Sequence, residues 1–320
     1  MVSVASGAET PARPDSLRLR WRAMMLRHEW IRGYLLLSPT IIVMITMLIA
    51  PIVTLVLLSF WTQEYFEIHH TFTFANYARA LNIFDDNDQI YALLLVKSIR
   101  MSLTATIAVV ALAYPMAYFL AFRVTKNKLM WIILIAIPFW TSYLLRIFAW
   151  KIILGYNGVI NSGLISAGLL SEPLEFLLYN PTAVTITLAH AWAAFAILPI
   201  YVSLEKIDRS LLEAATDLGD TPVQRFWRVT FPLSLPGLIA ATLLVFIPTV
   251  GDYVTPALVG GTSGIMIGSI IASLFGKANN QPLGSAVSIL SMFVIAGVVM
   301  AFLISVRAIF GKHAIQRPEA

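Results

Sequence analysis

Residues 205–235 read EKIDRSLLEAATDLGDTPVQRFWRVTFPLSL, a charged segment between two long apolar stretches. Ser210 and Glu213 have the spacing of the N-cap and N3 residues of a capping box. The apolar residues that follow recur at helical spacing: Leu211, Leu212, Ala215 and Leu218. Gly219 suits the C′ position, where helices commonly end in a left-handed residue. The pattern predicts a short amphipathic helix that ends at this glycine.

A second helix start follows at once. Thr221 is predicted as its N-cap, with Pro222 at N1 and Gln224 at N3. Pro232 and Pro236 are expected to close the segment before the next apolar stretch. We therefore predict two short helices joined by a tight turn, which either rest on the bilayer or dock on a protein partner. The acidic residues of the segment favour a partner, because the inner leaflet is anionic.

The rest of the chain is strongly apolar. Of its 320 residues 58% are hydrophobic and 12% are charged, whereas soluble domains carry about 25% charged residues. A spanning helix needs about 20 mostly apolar residues, and six stretches qualify: roughly 33–60, 98–122, 129–154, 183–204, 236–258 and 285–308. Backbone groups in hydrocarbon must bond within their own segment. We therefore predict an all-α, polytopic membrane protein with six transmembrane helices.

The basic residues predict the orientation of these helices. Sixteen of the 22 Lys and Arg residues lie before the first span, in the second and fourth loops and after the last span, and three lie in the opposite loops. Because Lys and Arg concentrate in cytoplasmic loops, both termini are predicted to be cytoplasmic. Residues 1–28 are predicted to be a disordered tail, 29–312 the transmembrane domain and 313–320 a second tail. The run from Gly33 to Phe60 is too long for a signal peptide and is predicted to be an uncleaved span.

Composition and motifs exclude several classes of chemistry. The chain has no cysteine, which excludes disulfides, thiolate catalysis and Cys-ligated metals. No metal-binding or catalytic motif is present, so we predict no cofactor and no enzymatic activity. The glycine-rich run 260–264 lacks the Lys of a phosphate-binding loop, so it is not a nucleotide site. The basic residues are dispersed between apolar blocks, which argues against a nucleic-acid partner.

Two charges inside the predicted spans are candidates for function, because charges in a bilayer are costly. Asp252 is 16 residues into the fifth predicted span and Arg146 is 17 residues into the third, which places both about 25 Å from the inner ends. Asp252 is expected either to attract a cationic substrate or to pair with Arg146 as an outer gate; alternatively, both residues snorkel to the headgroups. Trp140, Tyr143 and Tyr253 either line the substrate path through cation–π contacts or form an aromatic belt.

The 205–235 segment resembles the EAA motif of ABC importer permeases, which reads E-A-A-x3-G-x9-I-x-L-P. Here Glu213-Ala214-Ala215 is followed at the same spacing by Gly219 and by 229–232, with Val229 replacing Ile and Phe231 replacing Leu. The resemblance implies a type I ABC importer permease fold with a cytoplasmic coupling helix that docks on a separate ATP-binding subunit. The residues expected at this contact are Leu212, Glu213, Ala214, Ala215, Asp217, Gly219 and Pro222.

Four further segments resemble the membrane subunits of spermidine/putrescine importers. They are AYPMAY (113–118), PFWTSY (138–143) extending to Arg146, NGVIN (157–161), and GDYVTP (251–256) followed by two glycines. This resemblance implies a polyamine substrate, a dimer of ATP-binding subunits, a second homologous permease, a periplasmic or extracellular binding protein, and the bacterial inner membrane. The alternatives are a permease of this class for iron, thiosulfate or phosphonate, and an ion-coupled secondary transporter. The latter usually needs carboxylates near mid-membrane.

Overall fold

The computed structural model describes residues 29–65, 67–81 and 90–314. The chain divides into two compact units, Met1–Leu55 and Val56–Ala320. The predicted tail at 1–28 lies outside the described residues. The predicted tail at 313–320 begins within the last helix, which extends to Ala314, and the remainder also lies outside them.

Helices account for most of the described chain. In chain order they are α1 (Glu29–Ser59), α2 (Ala75–Leu81), α3 (Ile90–Phe122), α4 (Lys128–Ala136), α5 (Tyr143–Leu154), α6 (Val159–Ser166), α7 (Pro181–Glu205), α8 (Arg209–Asp217), α9 (Pro222–Arg225), α10 (Phe231–Val250), α11 (Ile267–Phe275) and α12 (Gln281–Ala314). Six helical segments of the described residues are long and apolar enough to span a membrane. The prediction of an all-α protein with six spans is therefore confirmed.

One short β-hairpin precedes α2. Strand β1 (Thr62–Glu64) pairs antiparallel with β2 (Glu67–His69). The Gln63 side chain donates to the Asn279 carbonyl at 2.5 Å and accepts the Gln281 N–H at 3.0 Å. These bonds tie the hairpin to the start of α12.

The third predicted span, 129–154, is broken in the structure. Helix α4 tightens into a 3₁₀ turn at 137–140, the backbone is extended at Thr141, and α5 starts afresh at Tyr143. Pro138 lacks an amide hydrogen, so it cannot continue the helical bonding. The Thr141 hydroxyl donates to the Pro138 carbonyl at 2.6 Å, which satisfies this carbonyl at the break. Arg146 therefore lies in the first turn of α5 and not deep within a continuous span.

The prediction of the fifth span at 236–258 is wrong at both ends. Helix α10 starts earlier, at Phe231, and ends at Val250, so Asp252 lies in the turn beyond the helix. Pro232 does not close the preceding segment, because a proline in the first helical turn breaks no backbone bond. A π-helical turn at 256–260 follows the turn that contains Asp252.

The core of the bundle lies where α3, α7 and α10 meet. Small residues line this contact: Ala113, Ala117, Ala121, Ala196 and Ala241 are all buried. Small side chains let helix backbones approach closely in membranes. Gly237 marks the tightest approach, since a Cβ there would lie 2.4 Å from the Pro199 carbonyl oxygen. Helices α7 and α10, which flank the 205–235 segment, therefore pack closely against each other.

Candidate functional site

The first helix of the 205–235 segment starts earlier than predicted. Helix α8 begins at Arg209, and its N-cap is Asp208, whose Oδ1 accepts the Ser210 N–H at 2.9 Å. The capping box predicted for Ser210 and Glu213 is therefore wrong. Asp caps as well as Ser does, and the earlier start lengthens the helix. The hydrogen bond from the Ser210 N–H lowers the pKa of the Asp208 carboxyl. The charged cap is consequently lost only as the pH falls through that lowered pKa.

The end of α8 confirms the role predicted for Gly219. Its φ is +89°, a left-handed conformation that glycine adopts without steric cost. The Gly219 N–H donates to the Thr216 carbonyl at 2.9 Å, and the Asp220 N–H donates to the Ala215 carbonyl at 3.0 Å. These two bonds form a Schellman motif, which satisfies the last carbonyls of the helix.

The second helix carries the predicted cap and is tied to the first. Gln224 Oε1 accepts the Thr221 N–H at 2.9 Å, and the Thr221 hydroxyl accepts the Gln224 N–H, which completes a capping box. Two links join the halves of the segment: Arg225 donates to the Thr216 hydroxyl, and Arg228 pairs with Asp220, both at 2.7 Å. The segment is therefore one cross-linked unit.

The predicted contact residues divide into two groups by burial. Ala215 is buried and Leu212 packs on the core of the bundle, so these two hold α8 against the spans. The other predicted residues are exposed: Glu213, Ala214, Asp217, Gly219 and Pro222. The sequence interpretation omitted from the contact set two apolar residues that are strongly exposed, Leu218 (87%) and Val223 (67%). The sequence could have indicated both residues, because each is apolar and lies close to the turn at Gly219.

A π-helical turn at 226–230 joins this unit directly to α10. Within it, the Phe226 ring packs against Tyr114 and Tyr118 of α3, with centroids 5.8 and 6.1 Å apart. The Tyr114 hydroxyl lies 2.7 Å from the Ser234 hydroxyl on α10. Packed aromatic rings therefore connect the end of α9 to α3 and α10. π-helical turns are frequent at functional positions.

At the opposite end of α10, the Asp252 carboxylate is buried and fully bonded. Its Oδ2 accepts hydrogen bonds from the hydroxyls of Tyr143 and Thr255, each at 2.5 Å. Its Oδ1 accepts the N–H groups of Val254 and Thr255 at 2.9 and 3.4 Å. This pattern is that of an Asp that caps the following turn while it binds a neighbouring helix. Thr255 was missed in the sequence, although its three-residue spacing from Asp252 fits such a cap.

Arg146 lies beside this cluster but binds other groups. Its Nη1 donates to the Ala191 carbonyl on α7 at 3.0 Å. The guanidinium carbon lies 5.2 Å from the Phe139 ring centroid and 5.8 Å from that of Tyr143. Among the ion pairs of the described chain, none joins Arg146 to Asp252, so the predicted direct pair is absent from this conformation. Tyr143 connects the two charges instead.

The structure brings together three of the five residues predicted for the pathway or gate. Tyr143, Arg146 and Asp252 share one cluster. Trp140 and Tyr253 are separate from it and present 83% and 54% of their surface to solvent. Exposed aromatic residues near the end of a span are typical both of a membrane interface and of a pore lining.

Six apolar helices and the paired short helices of 205–235 agree with the multi-pass permease class that the resemblance to the EAA motif implies. Residues 23–318 match the family described as binding-protein-dependent transport system inner membrane component, and the chain belongs to that family. The chain is a permease component and not an enzyme.

Individual relatives are similar over most of the chain. The spermidine/putrescine transport system permease protein PotB of Escherichia coli (strain K12) is 38% identical, over 72% of this chain and 80% of its own. PotB of Haemophilus influenzae is 40% identical, over 68% of this chain and 73% of its own. A chain of the bacterial alginate ABC transporter, solved in complex with an alginate-bound periplasmic protein, superposes with a TM-score of 0.62 at 18% identity. The match covers 91% of this chain and 98% of that chain, and it establishes the shared fold.

Proposed function

We propose that this chain is the permease of an ATP-driven importer whose substrate is a polyamine such as spermidine or putrescine. The polyamine assignment is supported by the 38–40% identity of this chain to two PotB proteins. Each match covers at least two thirds of this chain and of the relative. The chemistry of the Asp252 cluster is compatible with it, because a buried carboxylate attracts ammonium groups.

The proposed partners follow from the class of the protein. A dimer of ATP-binding subunits binds the 205–235 segment, a second permease completes the pathway, and a soluble binding protein delivers the solute. Both termini and the 205–235 segment face the cytoplasm, as the distribution of Lys and Arg indicates.

The proposed ATPase contact centres on the exposed side of α8 and α9. Ala214 permits close approach, and Leu218 and Val223 supply apolar surface beside it. The buried pair Leu212 and Ala215 keeps this surface fixed to the bundle. ATP-driven movement of the partner would then be transmitted through the aromatic contacts of Phe226 to α3 and α10.

The proposed gate is the cluster around Asp252. In the conformation described, hydroxyl donors from Tyr143 and Thr255 occupy its carboxylate. When α5 moves away with Tyr143, a substrate ammonium group can replace the Tyr143 hydroxyl, whereas Thr255 remains beside Asp252 in the same turn. Trp140 and Tyr253 offer ring faces to the same cations. The Asp252 carboxylate would then bind Tyr143 in the closed state and the substrate in the open state. A gate requires such a difference in binding between its two states.

The substrate class is tested by ATPase stimulation. The complex that co-purifies with this chain is mixed with its binding protein, loaded with spermidine, putrescine, ferric iron, thiosulfate or a phosphonate. The proposal expects stimulation by the two polyamines and none by the other solutes. Stimulation by a non-amine solute alone would overturn the polyamine assignment and leave the permease assignment intact.

A further inference from the structure

A cavity of about 300 Å³ lies between α8, α9 and the end of α3. Its charged lining consists of Arg123, Arg209, Arg225 and Glu213, and Tyr118, Phe122 and Leu212 complete the lining. Three formal positive charges therefore face one negative charge in a concave site. The proposed function assigns no role to this surplus of positive charge.

The arginines of the cavity are not neutralised by their neighbours. Nearby charges outside the cavity are paired, Lys128 with Glu205 at 2.6 Å and Arg228 with Asp220 at 2.7 Å. Within the described part of the chain, neither Arg123 nor Arg209 has a side-chain hydrogen bond or ion pair. Arg225 uses one nitrogen to donate to the Thr216 hydroxyl, so its other N–H groups remain available. The cavity thus presents several free donors in one place.

The cavity lies on the membrane-bundle side of α8 and not on its proposed ATPase side. Arg209 and Glu213 flank Leu212, which packs on the core of the spans. Ala214 and Leu218 point to the opposite side of the helix by the helical repeat of 100° per residue. The ligand must therefore be reachable from the membrane border, where α3 ends at Phe122.

We propose that this cavity binds the phosphate group of an anionic phospholipid. Guanidinium groups bind phosphate oxygens through paired hydrogen bonds, which an ammonium group cannot reproduce. Basic pockets between spanning helices on the cytoplasmic side are suited to lipid head groups. The phospholipid would brace α8 against the end of α3 and thereby hold the 205–235 segment in place. This lipid site rests on the proposed function in one respect only, which is that the side of the bundle with the cavity faces the cytoplasm.

Native mass spectrometry of the full-length chain in detergent tests the site. The probes are phosphatidylglycerol, phosphatidylcholine and inorganic phosphate, each added separately. The proposal expects phosphatidylglycerol to bind more tightly than phosphatidylcholine. The double variant Arg123→Gln/Arg209→Gln should bind phosphatidylglycerol at least about tenfold more weakly, because the loss of even one charge-assisted hydrogen bond corresponds to about a tenfold change in affinity. The matched control Lys126→Gln removes a basic residue of the same loop as Arg123 that does not line the cavity, and it should retain the preference.

The remaining outcomes are equally decisive. Equal binding of the two lipids, or an unchanged preference in the double variant, overturns the proposal. If inorganic phosphate binds at the same arginines and phosphatidylglycerol is not preferred over phosphatidylcholine, the ligand is a soluble anion and not a phospholipid. Arg123→Lys with Arg209→Lys keeps the charge but loses the paired donors, so recovery of only part of the affinity supports phosphate recognition. Lipid binding is measured without ATP or substrate, so its failure is distinguishable from failure of the transport function.

Discussion

The Tyr143 hydroxyl donates a hydrogen bond to the Asp252 carboxylate at 2.5 Å and thereby joins α5 to the turn that follows α10. The ring of the same tyrosine lies 5.8 Å from the Arg146 guanidinium. One side chain consequently contacts both candidate charges of the proposed gate. The cluster depends on this tyrosine more than on a direct attraction between Arg146 and Asp252.

Removing the tyrosine hydroxyl should weaken the cluster. Tyr143→Phe keeps the ring but deletes a donor to a buried carboxylate, a loss of about 1.5–3 kcal/mol. The expected result is a lower melting temperature of the purified complex and faster ATP hydrolysis without substrate. Tyr253→Phe is the matched control, because its hydroxyl has no partner among the described residues, and it should change stability by about 0.5 kcal/mol or less. Equal melting temperatures for the two variants would refute the role of Tyr143.

Exchanging the two charges should not restore function. In Arg146→Asp/Asp252→Arg, the new guanidinium faces the N–H groups of Val254 and Thr255, and the new carboxylate faces the Ala191 carbonyl. Both placements are repulsive, so uptake by the double variant is expected to be no higher than uptake by either single variant. Recovery above the single variants would show that the residues pair directly in another conformation.

The turn between α8 and α9 should tolerate only residues that accept a positive φ. Gly219→Val forces a β-branched residue to φ near +89°, at a cost of about 1–3 kcal/mol. Gly219→Asn is the control, since Asn adopts this region more readily. Co-purification of the ATP-binding subunit should fall for Val and persist for Asn. Equal co-purification of the ATP-binding subunit with both variants would show that the turn does not require a residue that accepts a positive φ.

The contact between α7 and α10 should reject any added side chain. A Cβ at position 237 would lie 2.4 Å from both the Pro199 carbonyl oxygen and the Ser203 Cβ. Gly237→Val should therefore destabilise the fold by at least the roughly 1–3 kcal/mol typical of overpacking. Gly297→Val is the matched control, because no heavy atom lies within 4 Å of its added Cβ. Thermal unfolding should separate the two, and identical curves would exclude the close approach.

The features that could be predicted from the sequence are those determined by residues close to one another in the chain. The apolar stretches predicted six spans because the lipid environment imposes the same length on each. Gly219 and Thr221 were predicted correctly because a left-handed turn and a capping box depend only on neighbouring residues. The N-cap of α8 was missed because Asp208 and Ser210 are both good caps, so residue type alone does not decide between them.

The gate cluster required information that the sequence does not carry. Hydropathy treated 236–258 as one helix, whereas the Asp252 side chain caps a new turn after Val250. The partners of Asp252 include Tyr143, which is 109 residues distant and is brought close by the break at Pro138. The pairing of Arg146 with Asp252 was predicted from their equal depth along two continuous helices. That estimate failed because both helices are interrupted.

Accumulation of spermidine in proteoliposomes tests whether this chain belongs to an ATP-driven polyamine importer. The complex that co-purifies with this chain is reconstituted, and labelled spermidine is supplied with its binding protein on one side and ATP on the side of the 205–235 segment. We expect accumulation that requires both ATP and the binding protein, and that falls in Gly219→Val. Accumulation driven by a proton or sodium gradient in the absence of ATP would contradict the assignment as an ATP-driven importer permease.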